Sequence, residues 1–455
     1  MTRNPDPATT TPDAPMTRAE RLDRLPFNRQ HTRLLVGSGV GWALDAMDVG
    51  LISFVMAALA VEWSISAGTQ GLIGSIGFVG MALGAAFGGL LADKWGRRHV
   101  FALTLLVYGL ATGASALATG VAMLIALRFL VGIGLGAELP VASTLVSEFA
   151  PRKIRGRVVV ALEAFWALGW IMAALVGYLL IPQVENGWRW ALAIGIVPTL
   201  YAAVVRFGLP ESVRFLESKG RDAEAEAAVR KFEEPSGIAP VPAPPDDPSD
   251  DNRPAPSIWS ATLRGRTAAL WVIWFCINLS YYGAFIWLPS LLVRQGFTLV
   301  KSFEYTLIIT LAQIPGYAAA AFLIERWGRR PTLATFMAGS AFAAGLLGLA
   351  NTPATIIAAG CALSFFNLGA WGALYAIGPE LYPTSARGKG TGAAPRSGAS
   401  PRSLRRSWCP CSSPPAAART GWSSPRSPWL LRSARSLPSR CRSSAGQRWP
   451  SDSAL

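Results

Sequence analysis

Long apolar blocks alternate with short polar connections along this chain, and within the blocks no 3.6-residue stripe sets an apolar face against a polar one. Ten blocks, at 34–60, 71–92, 100–118, 122–146, 158–181, 190–207, 268–292, 305–323, 332–349 and 356–377, are long apolar runs. A bilayer core of roughly 30 Å takes about 20 residues of helix to cross, and these blocks are of that order. Lipid offers a backbone amide no hydrogen-bond partner, so each block is predicted to be a helix whose bonds close internally. The pattern therefore predicts an all-α polytopic membrane protein.

The polar connections contain a repeat. Asp93-Lys94-Trp95-Gly96-Arg97-Arg98 returns as Glu325-Arg326-Trp327-Gly328-Arg329-Arg330, displaced by 232 positions. Glu148, Pro151, Arg155 and Gly156 return as Glu380, Pro383, Arg387 and Gly388, again displaced by 232. Two unrelated motifs with one offset imply two six-helix halves. The expected organisation is a disordered lead-in at 1–32, a first half at 33–208, a connecting segment at 209–267 and a second half at 268–390. Within the connection, 212–234 has helix-forming composition, whereas 235–256 is rich in Pro and Asp and reads as a flexible linker.

The offset calls for an eleventh helix near 390–413 and a twelfth near 422–439, and the sequence supplies neither. Residues 391–455 instead hold sixteen Ser, nine Pro and eleven Arg. An arginine at mid-bilayer costs about 2.5–3.5 kcal/mol even on the gentler insertion scale. Several arginines per segment, with prolines, exclude spanning. We expect a reading-frame shift near Ala394, because a shifted GC-rich gene yields this mixture of Arg, Ser, Pro and Ala. The alternative is a basic tail on a ten-helix protein, so that the last two helices are either missing or scrambled.

Composition adds limits. Of 455 residues, 51% are hydrophobic and 15% charged, against about 25% charged in average soluble domains. The net charge of +15 does not indicate nucleic-acid binding. Residues 391–455 carry eleven Arg against the single Asp452, a surplus of +10, which leaves +5 for the remainder. Ten basic residues lie in the loops after the second, fourth and eighth spans, and three (Arg189, Arg294 and Lys301) lie on the opposite side. That asymmetry places the N-terminus in the cytoplasm of a cell with the protein in its inner membrane. The first 30 residues are polar and lack a signal-peptide core. Cys276 and Cys361 sit in spans as small apolar residues, and the lone Cys409-Pro410-Cys411 is too weak a pattern for a metal site.

Chemistry is concentrated in a few side chains. Asp45 and Asp48 stand near the centre of the first span, at i and i+3 on one helical face. Carboxylates there must face a wet cavity, pair with a cation or hold a proton, and intramembrane acids are functional candidates by default; the competing role is a structural ion pair. The expected cation is Arg128 in the fourth span, where Gly132, Gly134 and Gly136 permit close helix approach. Glu138 in the same span is either a second proton-handling group or a structural partner. The two histidines, His31 and His99, fall at span ends, so proton handling at the midplane is left to carboxylates. Shifted by 232, Asp45, Asp48 and Arg128 become Ile277, Ser280 and Gly360. The second half offers Asn278, Tyr281 and Tyr282 in the seventh span and Phe366, Asn367 and Trp371 in the tenth. Aromatic faces with a few amides suit a small planar solute, although each aromatic taken singly fits core packing. Asp93, Arg97, Arg98, Glu148 and Arg155, with their repeats Glu325, Arg329, Arg330, Glu380 and Arg387, can form ion pairs between helix ends that hold in one state and break in another. The competing role is basic anchoring of loops.

At these residues the chain resembles the major facilitator superfamily. Gly89 to Arg98 resembles its loop signature between helices two and three, and Pro210-Glu211-Ser212-Val213-Arg214-Phe215-Leu216 the segment after helix six of sugar-porter-like members. Leu44-Asp45-Ala46-Met47-Asp48-Val49-Gly50, the stretch Glu138 to Glu148, Ser364 to Gly372, Ser302 to Tyr305 and Leu311 to Tyr317 resemble the niacin-permease group of metabolite:proton symporters. The resemblance runs from about Arg33 to Gly392 and departs after Thr391. It implies a major facilitator fold and uptake of nicotinate or a similar small aromatic acid with a proton; separately, no cofactor or metal is expected, and the expected state is a monomer, which the sequence does not fix. Asp48 with Arg128 resembles the first-helix acid and fourth-helix arginine implicated in proton coupling in that superfamily. Other organic acids, a sugar, a non-transporting sensor and an inactive product remain as alternatives. No nucleophile–base pair, metal cluster or phosphate loop suggests an enzyme.

Overall fold

Three prolines set where the apolar blocks break. Each of Pro198, Pro289 and Pro315 falls in the first turn of a new helix, where the missing N–H has no intrahelical partner to lose. A computed structural model describes residues 16–237, Ser260 and 262–377. In chain order the helices are α1 (Arg18–Arg24), α2 (Arg29–Glu62), α3 (Ala67–Trp95), α4 (Arg97–Ser115), α5 (Val121–Phe149) and α6 (Arg155–Leu180). They continue as α7 (Gly187–Ile194), α8 (Val197–Gly208), α9 (Val213–Ser218), α10 (Asp222–Glu233), α11 (Arg264–Phe285) and α12 (Leu288–Arg294). The last are α13 (Leu299–Leu311), α14 (Gln313–Trp327), α15 (Arg329–Leu349) and α16 (Pro353–Ile377).

Each of the ten predicted spans falls on helix, but three are divided at those prolines, into α7–α8, α11–α12 and α13–α14. Among the described residues nine stretches, with α7–α8 and α13–α14 counted as one each, are long and apolar enough to cross a membrane. The remaining predicted span is α4, whose first turn of Arg97, Arg98 and His99 dilutes its apolarity. Helix ends extend past the apolar blocks because polar caps fix them. Asn28 accepts from the Gln30 and His31 amides at the start of α2, and Ser66 accepts from Thr69 at the start of α3.

Glycine sets the closest helix contacts. A Cβ on Gly84 of α3 would stand 2.1 Å from the Ile133 carbonyl oxygen of α5, and one on Gly136 would stand 2.0 Å from that of Met81. Backbones this close are the usual packing of small residues in membranes, where dispersion rather than water exclusion drives association. Outward faces keep large apolar side chains such as Leu90, Leu200, Phe207, Phe342 and Leu349 exposed, as lipid contact requires.

The lead-in departs from the expectation of disorder. From Thr17 onward it forms α1, started by a capping box between Thr17 and Glu20. Tertiary contacts hold it. The Arg21 guanidinium is 1% exposed and bonds to Glu226 at 2.9 Å and to Glu233 at 2.6 and 2.8 Å. Arg18 adds contacts to Glu217 and Asp222 at 3.2 and 2.9 Å. Bonding to Arg21 pulls the Glu226 carboxyl down to about 2. The helical stretch expected at 212–234 is two helices, α9 and α10, parted at Gly220, whose φ of +67° suits glycine. The expected linker at 235–256 from residue 238 onward, residues 1–15, Glu380, Arg387 and all of 391–455 lie outside the described residues.

Candidate functional site

Helices α2, α4 and α5 bring three acids and one arginine together in the membrane core. Asp45, Asp48, Glu138 and Arg128 are all buried. Asp48 Oδ1 accepts from the Thr112 hydroxyl at 2.5 Å, and its Oδ2 lies 3.3 Å from Arg128 Nη1. Glu138 Oε2 accepts from Thr104 at 3.2 Å. Asp45 is directed at Tyr108 and Glu138 and lies within electrostatic reach of Asp48, and these groups are buried. The glycines of α5 act as the sequence suggested only in part. Gly132 and Gly136 seat α5 on α3, while Gly134 faces Tyr108 of α4.

The balance of this cluster is its main chemical property. One guanidinium faces three carboxyls, and an unpaired ion so deeply buried costs several kcal/mol. Arg128 has capacity to spare, since Nε and Nη2 are buried without a partner. Arg128 also lines a small recess with Val49, Ile52, Gly77, Phe78 and Ile286. The recess is apolar with a single cation in its wall, a setting that favours an anionic group. Thr104, Tyr108 and Thr112 are polar members of the cluster that the sequence reading passed over. Their spacing of four puts them on one face of α4, and that regularity could have found them.

The second group of candidates gathers only in part. Tyr281 is fully buried, its oxygen accepts from Trp166 Nε1 at 3.3 Å, and its ring lies 5.3 Å from that of Trp371. Tyr282 meets Phe78 of α3 at 4.9 Å and Trp371 at 6.3 Å. Trp371 has a buried indole N–H without a partner. These three form one aromatic wall with Trp274 and Tyr375. Asn367 ties α16 to Ser280 and Ser340 through its amide at 2.8 and 3.1 Å, leaving Oδ1 unpartnered. Asn278 spends an amide hydrogen on the Trp274 carbonyl one turn back, at 2.7 Å. Phe366 stands apart from the wall. It packs with Phe336 and Phe365 and lies against Gly339 in the α15–α16 contact, which is a packing position.

A buried acid in α6, Glu163, is a further side chain that the sequence reading passed over. It is 1% exposed and sits among aromatic side chains from both repeats. The signal was available, because Glu163 is the one acid in the apolar run 158–181, the criterion that singled out Asp45 and Asp48.

The charged motifs form a lattice at one end of the helices. Arg97 pairs with Glu148, which also accepts from Ser212 at 2.5 Å. Glu211 Oε1 accepts from the amides of Arg97 and Arg98 at 2.8 and 3.1 Å, capping α4 from outside the helix. Gly96 makes this possible, because its φ is +95° and a Cβ there would stand 2.5 Å from Glu211 Oε2. Arg155 bonds to the Ala150 carbonyl at 3.0 Å and pairs with Asp23. Arg157 reaches Glu325 of α14 at 2.7 Å across the surface. Asp93, Arg329 and Arg330 are exposed at the same motifs.

A family model described as sugar (and other) transporter matches residues 33–398. The chain is 48% identical over 379 residues to the niacin transporter NiaP of Acinetobacter baylyi, a match covering 83% of this chain and 86% of that protein. Among solved structures it is similar to the partially occluded inward open conformation of the E. coli xylose transporter XylE, with a TM-score of 0.63 at 17% identity. That match covers 81% of this chain and 90% of the other and concerns the fold alone.

Proposed function

This chain belongs to the sugar (and other) transporter family of the major facilitator superfamily and is a membrane transporter, and from that premise we propose that it imports a small aromatic carboxylate, such as nicotinate, together with a proton. The observation that carries this reading is the buried group of Asp45, Asp48, Glu138 and Arg128. Three acids against one cation can hold a proton and release it when the group gains access to water. Asp48 is the coupling residue, because it alone of the three bonds to Arg128. When Asp48 takes a proton its hold on Arg128 weakens, and the guanidinium is freed to bind the substrate carboxylate. Asp45 and Glu138 adjust the balance of charge around that exchange.

The substrate ring rests on the aromatic wall of Tyr281, Tyr282 and Trp371, with Asn367 Oδ1 and the Arg128 guanidinium as the polar contacts. Niacin, the name attached to the relative at 48% identity, has this combination of flat ring and carboxylate. Binding between the repeats 33–208 and 268–390 then couples to rocking that exposes the site to either side in turn. The charged lattice, with Arg97–Glu148 and Arg157–Glu325, belongs to the cytoplasmic end of an inner-membrane protein whose N-terminus is cytoplasmic. Its pairs hold one access state and break in the other. The protein works as a monomer.

Uptake of labelled nicotinate into proteoliposomes tests the reading. An inward proton gradient should drive accumulation, a protonophore should abolish it, and unlabelled nicotinate should compete better than a sugar or a hydroxybenzoate. Accumulation indifferent to the protonophore, or competed equally by a sugar, would contradict it.

A further inference from the structure

Glu163 stands midway along α6 and takes no part in the cluster around Asp48. Its carboxyl group is directed at Trp42 of α2 and Tyr375 of α16. Tyr282 and Tyr317 lie within its electrostatic reach. Glu163 Oε1 is buried without a hydrogen-bond partner, and so are the Tyr317 hydroxyl and Trp371 Nε1. Among the described residues no cation acts on it, whereas Asp48 has Arg128. The result is an aromatic box, walled by both repeats, with one acid in it and several polar atoms whose bonds are unmade. Buried polar groups are normally satisfied, so a set left open in one place asks for a ligand that supplies the missing atoms.

The box differs from the recess beside Arg128 in the chemistry it offers. A guanidinium recognises a carboxylate. A carboxyl among π faces recognises a nitrogen that can carry or accept a proton, on a ring that stacks. We propose that Glu163 is the specificity residue for a ring nitrogen on the substrate, sharing one proton with it, while Trp42, Trp371 and Tyr375 enclose the heterocycle. The proton sits on either partner without changing the count: a carboxyl donates to a neutral nitrogen, or a carboxylate accepts from a protonated one. The inference rests on the aromatic-carboxylate reading above and adds to it the preference for a pyridine-type ring over a benzene ring. A benzene ring presents a C–H where the nitrogen would be and leaves Glu163 unanswered. Sites built around a hydrogen bond discriminate strongly against analogues that lack it.

Binding separates this inference from the transport reading. The full chain in nanodiscs can be titrated with nicotinate and with benzoate, with the fluorescence of the tryptophans at the box as the readout. The wild-type chain should prefer nicotinate by about 10–100-fold, the range for one charge-assisted hydrogen bond. Glu163→Met fills the same volume without a hydrogen-bonding group. It should lose that preference and keep its benzoate affinity, which also shows that the variant is folded. Glu163→Gln, which can still donate to a neutral nitrogen, should recover part of the preference. If Glu163→Met keeps the wild-type preference, or loses both ligands equally while Glu163→Gln keeps the full preference, the inference is overturned and the transport reading stands. If the wild-type chain binds neither acid, both fall together.

Discussion

In the first repeat the membrane core holds Asp45, Asp48, Glu138 and Arg128 in one buried group. At the positions displaced by 232 the second repeat has Ile277, Ser280, Ala370 and Gly360. The place of the arginine is taken by packing, since a Cβ on Gly360 would stand 2.4 Å from Ile309 Cδ1. Polar atoms in the second repeat are amides, hydroxyls and indole N–H groups; Asn367 donates to Ser280 and Ser340, while the Tyr317 hydroxyl and Trp371 Nε1 have no hydrogen-bond partner. One scaffold thus supports two kinds of interior. The first stores charge and must be answered by a proton or a cation, while the second stores shape and needs only a flat partner. The charged motif repeats the lesson at the helix ends. Gly96 and Gly328 adopt the same turn, with φ of +95° and +85°. Glu211 closes on the first, but among the described residues nothing lies within 4 Å of a Cβ on the second.

The largest expected effect comes from moving charge into the second repeat. Ile277→Asp places an acid at a buried position of the second repeat, at a cost of about 2.5–3.5 kcal/mol for an acid at a helix centre on the insertion scale. The folded yield in membranes, measured by size-exclusion chromatography of detergent extracts, should collapse. A normal yield would show that the second interior tolerates charge and would dissolve the contrast. The paired glycines give a sharper and smaller test. Gly328→Ala bears only the strain of a glycine-only backbone region, about 1–3 kcal/mol. Gly96→Ala bears that strain and also displaces Glu211 from the α4 amides, so its melting temperature should fall further. Equal shifts would remove the distinction between the two motifs.

The α1–α10 contact predicts an acid-sensitive element. Glu226 is held at about 2 against its usual 4.5 by the Arg21 guanidinium. A depressed carboxyl stabilises the fold above its unfolded value and loses that contribution as pH falls through its folded value. Release of α1, followed by hydrogen exchange, should therefore begin below about 4.5 and complete near 2, the window set by that shift. Arg21→Met should release α1 at neutral pH as well. The smallest effect belongs to Arg157→Ala, because its pair with Glu325 is exposed at both ends. Surface pairs contribute about 0–1 kcal/mol, so the melting temperature should barely move.

Much of this was legible in the pattern of the chain. Ten apolar blocks gave the spans because lipid leaves a backbone no alternative to helix, and Asp48 with Arg128 stood out because charge in such blocks is rare. The breaks at Pro198, Pro289 and Pro315 were missed because apolarity continues through them while the hydrogen-bond ladder does not. The start of α1 was hidden for the opposite reason, since its stability lies in pairs of Arg18 and Arg21 with acids some 200 positions away and no local signal reports them. Phe366 and Trp371 looked alike as aromatic residues of one span. Their five-position separation turns them to different neighbours, and only packing tells a wall of the site from a filler between helices.

Proton movement by Asp48 is the claim on which the transport account depends. The direct measurement is the external pH of lightly buffered proteoliposomes when nicotinate is added, with labelled exchange followed in parallel. The account predicts alkalinisation by the wild-type chain, and none by Asp48→Asn although that variant still exchanges substrate across the membrane. Undiminished alkalinisation by Asp48→Asn would contradict it.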